Sequence, residues 1–282
     1  MKRLIVTADD FGAAHEVNEA VEKAHRDGIL TAASLMVAAP ACDDAVARAR
    51  SMPSLAVGLH IVLVDGRPMS PPDVIPDLVD AGGYFRGNMI RSGAEMFFRP
   101  TVRRQLAREI EAQFSAFRKT GLPLDHVNAH KHFHLHPTIA DTILTIGKAN
   151  GMRAMRVPLE PREVIAAAEP GTRLPHAYVS GAMSRLLLRR LRAAGLCVPD
   201  AVFGLAWSGA MNAARLRALI EHLPEGLSEI YLHPAVRGGF EGAASGYRYE
   251  AELEALTNVD VVAATRDRSI RLGGFAQFCG RP

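Results

Sequence analysis

Two adjacent acids, Asp9 and Asp10, stand in Thr7-Ala8-Asp9-Asp10-Phe11-Gly12, just after the short apolar run Leu4-Ile5-Val6. Five of the chain's eleven histidines, His126, His130, His132, His134 and His136, crowd one short stretch. His60 and His233 each end an apolar run of their own, as Gly58-Leu59-His60 and before Pro234. Carboxylates and imidazoles delivered from separate strand ends are the donors of a one-metal hydrolase site. One acid of the Asp9-Asp10 pair can bind the ion while the other takes a proton from a metal-held water. An isolated Asp-Asp more often caps the following helix; the histidines tip the balance toward chemistry. Positions 130, 132, 134 and 136 share one side if the segment is extended. That row would span roughly 20 Å, so one or two of the four ligate, and the rest bind substrate or orient ligands. The competing reading is a His-rich surface tract with adventitious metal affinity. His233 suits a general acid. Arg156, after Met155, is a strand-end cation suited to steering an acid or binding substrate.

Donors of this kind need a scaffold that presents strand ends together. Apolar runs at 4–7, 32–37 and 55–60 read as strands, with helical spacing at 13–27 and 41–51 between them. Residues 62–100 break the pattern with a Pro/Gly-rich excursion, read as a substrate-shaping insertion. Alternation resumes with a helix at 102–120, a strand at 124–129 leading into the histidines, a helix at 137–150 and a short strand at 154–157. A second Pro-bearing excursion at 158–180 follows. Helices at 184–194, 213–222 and Tyr249–Thr257 then alternate with strands at 201–204, 229–232 and 261–264. Strand-helix alternation with short connections predicts a parallel sheet. About seven such units favour one α/β domain over 1–282, a distorted TIM-like (β/α) barrel whose strands carry catalytic groups at their C-terminal ends.

Composition excludes several classes. The 282 residues are 48% hydrophobic and 22% charged, with a formal charge of +3. That is an ordinary globular balance, with no footing for nucleic-acid binding. Three cysteines, Cys42, Cys197 and Cys279, show no CxxC spacing and argue against a disulfide framework and against a cysteine zinc site. A reducing cytoplasm fits them. Met1-Lys2-Arg3 and the acids at 9–10 do not make a signal peptide, and no run reaches the roughly 18 apolar residues of a membrane span. Two stretches are ambiguous. The helix with Arg185, Arg189, Arg190 and Arg192 among Leu186, Leu187, Leu188 and Leu191, and the run Met96-Phe97-Phe98, read either as core packing or as contact with an anionic membrane.

Ala8-Asp9-Asp10-Phe11-Gly12, Gly58-Leu59-His60, the cluster from His126 to His134 and His233-Pro234-Ala235 occur in one order along the chain. In these pieces the sequence resembles the YdjC/ChbG-like carbohydrate deacetylases over nearly its whole length. The resemblance implies a distorted barrel, one divalent metal ion (Zn²⁺ or Mg²⁺) and removal of acetate from an N-acetylated sugar. Matched by position, it implies Asp10, His60 and His130 as metal ligands, Asp9 as base and His233 as acid. His132, His134, Arg156 and Trp207 become candidates for substrate binding. Around Phe203-Gly204-Leu205-Ala206-Trp207-Ser208-Gly209 the chain looks closest to a branch associated with hopanoid biosynthesis. That implies N-acetylglucosamine linked to a hopanoid lipid, met by a cytoplasmic protein at the inner face of the membrane. Lys131 stands between His130 and His132 where the chitooligosaccharide enzymes carry consecutive histidines. Two other readings stay open: a barrel phosphoesterase or amidohydrolase, and a non-enzymatic sugar- or lipid-binding module. A homo-oligomer is compatible with all of them.

Overall fold

The apolar run near the N-terminus becomes β1 (Lys2–Phe11), the strand around which a wholly parallel sheet is assembled. The computed structural model describes residues 1–172 and 177–280. From β1 the chain passes through α1 (His15–Asp27), β2 (Ala32–Leu35), α2 (Cys42–Ser51) and β3 (Ala56–Ile61). After a long connection come α3 (Met89–Phe98), α4 (Pro100–Lys119), β4 (Val127–Ala129), a 3₁₀ turn at His130–Leu135 and α5 (Pro137–Ala149). The second half holds α6 (Arg162–Ala168), α7 (Ala177–Ala193), β5 (Ala201–Phe203), α8 (Ala213–Glu221) and β6 (Gly226–Leu232). It finishes with α9 (Tyr249–Thr257), α10 (Val259–Asp267), the two-residue β7 (Arg271–Leu272) and α11 (Phe275–Phe278).

Paired strands follow the order β4-β3-β2-β1-β6-β5, and β7 pairs with the start of β1. Residues 154–159 lie between the two edges of this path. Arg156 N–H donates to Val127 O, Met155 N–H to Cys197 O and Val202 N–H to Leu159 O. Isolated bonds thus close the circle where a ladder would otherwise run, which makes the architecture a distorted TIM-like (β/α) barrel. Leu4, Ile5, Val6 and Ala8 are fully buried, as parallel strands covered on both faces require. α1 meets them with Val17, Ala20, Val21 and Ala24, a stripe at helical spacing.

The 62–88 connection contains one isolated bridge, Val79 with Phe85, and is folded over buried Ile75, Leu78 and Phe85. Helix α4 holds it down through two buried side chains. The Glu109 carboxylate accepts from Met69 and Ser70 N–H, and the Gln113 amide bonds both backbone groups of Val62. Of the 158–180 excursion, α6 and the start of α7 are seen, and 173–176 lie outside the described residues.

Three expectations are corrected. Residues 261–264 are helical, inside α10. Asn258 caps that helix by accepting from Asp260 and Val261 N–H, and Val261, Ala264 and Thr265 are buried at i, i+3 and i+4. The cap and this period override the β-branched valines. The histidine segment does not stay extended: Lys131 (φ 51°) and His132 (φ 54°) turn left-handed as the chain leaves β4. Cys197 and Cys279 are joined in a disulfide across 82 residues, leaving Cys42 free. Cysteine spacing carried no sign of it, because the two meet only where α11 packs under the barrel. There Phe275 joins Ile5, Ala32, Ala154 and Leu227 in a small apolar floor.

Candidate metal centre and active site

Consecutive strand residues point to opposite faces, so Asp9 and Asp10 need a device to serve one site. The register supplies it. Ala8 pairs with Ala33 and Phe11 with Leu35, so β1 carries one residue more than β2 over this interval. The bulge is absorbed at Asp10, which adopts φ 63°. A non-glycine residue there is strained, and what it gains is a carboxylate turned toward two histidines. Neither acid caps α1, whose N-cap is Ala14 without a side-chain bond.

His60 from β3 and His130 from the end of β4 meet Asp10. Asp10 Oδ1 lies 3.2 Å from His60 Nε2 and 3.1 Å from His130 Nδ1, and those two nitrogens are 3.4 Å apart. Among the described residues this is the group whose three donor atoms converge closely enough to share one ion. One carboxylate oxygen and two imidazole nitrogens suit a divalent ion with bonds of about 2.0–2.2 Å. His60 is already aimed: its Nδ1–H donates to Asn128 Oδ1 at 2.7 Å, which turns Nε2 toward the trio. Burial would raise Asp10, but the His130 and His60 contacts override it and hold the carboxyl well below its ordinary range. Burial would lower His60, yet Asp10 and Asp9 hold it above its ordinary value.

Asp9 lies beside the trio. Arg156 grips both its oxygens, Nη1 to Oδ2 at 2.5 Å and Nη2 to Oδ1 at 3.0 Å, and Asn128 Nδ2 donates to Oδ1 at 3.1 Å. The guanidinium is fully buried and also pairs with Glu229 at 2.6 Å. Burial alone would raise Asp9; the Arg156 charge, with His60 and His233, takes it well below the carboxylate range. Arg156 is therefore committed to two carboxylates, a tie that holds Asp9 rather than an open cation facing solvent.

The other sequence candidates spread out around this centre. His132 Nε2 lies 2.9 Å from the hydroxyl of Tyr231, itself buried below Arg156. His134 is fully buried and makes no well-formed side-chain bond among the described residues; the Arg156 backbone and the His132 ring lie near it. Burial, followed by the Arg156 charge, pushes it down to about 3, and burial also lowers His132 and His136. His136 packs against Phe97 and Phe133. His126 is fully buried between Ser34 Oγ, 2.9 Å from its Nε2, and Asp125 Oδ2, 3.0 Å from its Nδ1. The His233 ring stands between Tyr231 and Tyr247, with Nδ1 4.0 Å from Glu252. Trp207 is 5% exposed beneath the Arg215 guanidinium, its Nε1 without a partner among the described residues. It is placed by its loop: the Glu160 carboxylate accepts from Gly204, Leu205 and Ala206 N–H.

Sequence reading missed Asn128, Ser34, Glu229, Tyr231 and Tyr247. Asn128 lies inside the histidine motif, two residues before His130, and that position could have flagged it. Ser34, Glu229 and Tyr231 carry no local signal; they matter only because neighbouring strands bring Ser34 to Asn128 and Glu229 and Tyr231 to Arg156, the two groups that hold Asp9.

The family model for YdjC-like proteins matches residues 3–267. A carbohydrate deacetylase of Thermoanaerobacter pseudethanolicus is 27% identical over 98% of this chain and 99% of its own length. One from Geobacillus stearothermophilus is 29% identical over 97% of each chain. The crystal structure of an Enterococcus faecalis V583 protein superposes with a TM-score of 0.77 at 25% identity, over 97% of both chains.

Proposed function

The chain belongs to the YdjC-like family, and from that premise we propose that it is a metal-dependent hydrolase removing the acetyl group from an N-acetylated sugar. The carrying observation is the convergence of Asp10, His60 and His130 directly beside the clamped carboxylate of Asp9. Relatives of matching length named carbohydrate deacetylases support the substrate class. Asp10, His60 and His130 would hold one divalent ion, Zn²⁺ or Mg²⁺. Such an ion, when bound, polarises an amide carbonyl and makes a water acidic enough to attack it. Asp9 takes the proton of the attacking water on its carboxylate, whose direction Arg156 and Asn128 fix. His233 gives a proton to the departing sugar amine as the C–N bond breaks, releasing acetate. His132 and Tyr231, hydrogen-bonded to each other, contact the acetamide in this reading. The 62–100 segment shapes the mouth of this one domain.

The finer substrate reading is N-acetylglucosamine on a hopanoid lipid, reached at a membrane surface. On α3, Ile90 and Phe98 are 88% and 74% exposed and Phe97 is 43% exposed, whereas Met96 is buried in the core. Phe97 touches the ring of His136, so this apolar face borders the histidine turn. On α7, which packs against that turn, Leu186 is exposed beside Arg185 and Arg189. No helix among the described residues is long and apolar enough to cross a membrane, so contact would be peripheral.

Two measurements test these readings. Acetate release from N-acetylglucosamine substrates, with metal content determined on the same sample, should give turnover with one ion per chain. Phosphate release or two ions would favour the phosphoesterase, and neither product would favour a binding module. Sedimentation with anionic liposomes at low salt should recover the protein, and Phe98→Ser with Ile90→Ser should release it. No recovery from anionic liposomes removes the membrane reading and leaves the deacetylase reading standing.

A further inference from the structure

Below the metal trio, a line of buried polar side chains runs down the barrel interior to its floor. His60 Nδ1 is 2.7 Å from Asn128 Oδ1, and Asn128 Nδ2 is 2.9 Å from Ser34 Oγ. Ser34 Oγ is 2.9 Å from His126 Nε2, and His126 Nδ1 is 3.0 Å from Asp125 Oδ2. Asp125 accepts from Phe275 and Ala276 N–H, at the start of α11. Four of these groups, His126, Asn128, Ser34 and His60, are at most 2% exposed.

We infer that Asn128, backed by Ser34, His126 and Asp125, is the positioning group that fixes His60 for metal binding and Asp9 for proton transfer at once. This rests on the ligand reading of Asp10, His60 and His130.

The polarity of the chain carries the inference. An amide has one acceptor end and one donor end. Asn128 donates to Asp9 Oδ1 and to Ser34, so its oxygen is left for His60, and only Nδ1–H of His60 can fill it. Ser34, having accepted, donates to His126 Nε2, and His126 donates from Nδ1 to the Asp125 carboxylate. Every donor then points the same way and the line ends on an anion, an arrangement in which each bond strengthens the next. The lone pair of neutral His60 is thereby confined to Nε2, the atom facing Asp10 and His130. The floor of the line cannot drift. A Cβ on Gly58 would lie 2.5 Å from the His126 ring, and Phe275 stacks on that ring at 4.4 Å and 21°. Glycine at 58 thus makes room for a side chain of the next strand.

The test uses the full-length protein and two readouts besides turnover. At pH 9, where free imidazole is neutral, ¹⁵N–¹H correlation on the metal-free wild type should show His60 as the Nδ1–H tautomer. Asn128→Leu should lose that preference and weaken Zn²⁺ binding roughly 10–100-fold. Asn128→Asp, which keeps an acceptor for His60 but has no donor for Asp9 or Ser34, should restore the tautomer. Ser34→Ala leaves the His60 bond in place and should weaken Zn²⁺ severalfold, which keeps the inference testable if Asn128→Leu does not fold. Wild-type tautomer and Zn²⁺ affinity within twofold in Ser34→Ala, and in Asn128→Leu if it folds, overturn it. A wild type that binds no Zn²⁺ would instead fail the ligand reading, while the tautomer still reports on the relay.

Discussion

As the proposed base, Asp9 would meet two opposing demands. A general base works best with a pKa near the working pH, yet Arg156 holds this carboxyl far below that against the pull of burial. What the clamp supplies is direction and guaranteed ionisation; a proton taken up there is readily passed on. In the proposed mechanism, Asp9→Asn keeps the trio's three donors and removes the acceptor. Metal content should stay at one per chain while kcat falls by roughly 10²–10⁴; undiminished turnover with metal bound removes Asp9 from that role. Glu160 gives a separate pH signature. Burial, partly offset by three N–H donors, pushes its carboxyl up to about 7 from an ordinary 4.5. Between those values the folded chain keeps a proton that the unfolded chain has released. Its stabilising contribution is therefore complete below about pH 4.5 and is lost as pH rises through about 7. The difference in Tm between wild type and Glu160→Gln should shift against the wild type over that window. A difference that stays flat from pH 4.5 to 7.5 would show that Glu160 titrates normally.

At the scale of the element, the deciding feature is the bulge at the end of β1. Asp10 adopts φ 63° there, a conformation that costs a side-chain-bearing residue about 1–2 kcal/mol and glycine almost nothing. Asp10→Gly and Asp10→Ala both remove the carboxylate, so both should lose the metal. They should differ in stability, with Asp10→Gly the more stable by about that amount in denaturant unfolding. Equal stabilities would mean that the backbone relaxes once the carboxylate is gone. The β4 exit works in the same manner. Two left-handed residues, Lys131 and His132, send successive histidines in different directions, His130 to Asp10 and His132 to Tyr231. One turn thereby splits a row of like side chains between two tasks.

Across the whole molecule, the floor of the barrel is tied to its mouth. α11 caps the underside with Phe275, anchors Asp125, and is joined through Cys279 to Cys197, whose backbone pairs with the segment carrying Arg156. Denatured without reductant, the protein should titrate one thiol, Cys42; after reduction it should titrate three. Three thiols before reduction would show the pair to be open. A closed bridge over so long a loop contributes about 4.5 kcal/mol in the chain-entropy picture, so Cys279→Ser should lower the unfolding midpoint. Folded Cys42 should alkylate slowly at pH 8, because burial and neighbouring Asp43 push its thiol up to about 11.

Period and spacing alone made the parallel α/β barrel readable. Apolar runs, helical stripes and the glycines and prolines between them are local properties, and they marked nearly every strand end that carries a candidate donor. The donors themselves were also legible: Asp9, Asp10, His60 and His233 are conspicuous because acids and imidazoles interrupt apolar strands, whereas only the family resemblance singled out His130 from its row. Which acid faces which imidazole was not readable, since that depends on one extra residue in a strand pairing and on two left-handed residues after β4. Nor were the partners Asn128, Ser34 and Glu229, ordinary polar residues until parallel pairing sets β2 and β6 beside β1 and β4 beside β3. Local signals failed outright at 261–264, where β-branched valines obeyed a helix cap, and at Cys197 and Cys279, distant in sequence. Sequence names the chemical groups and the period of the elements; only closure of the barrel sets the distances between groups, and chemistry depends on those distances.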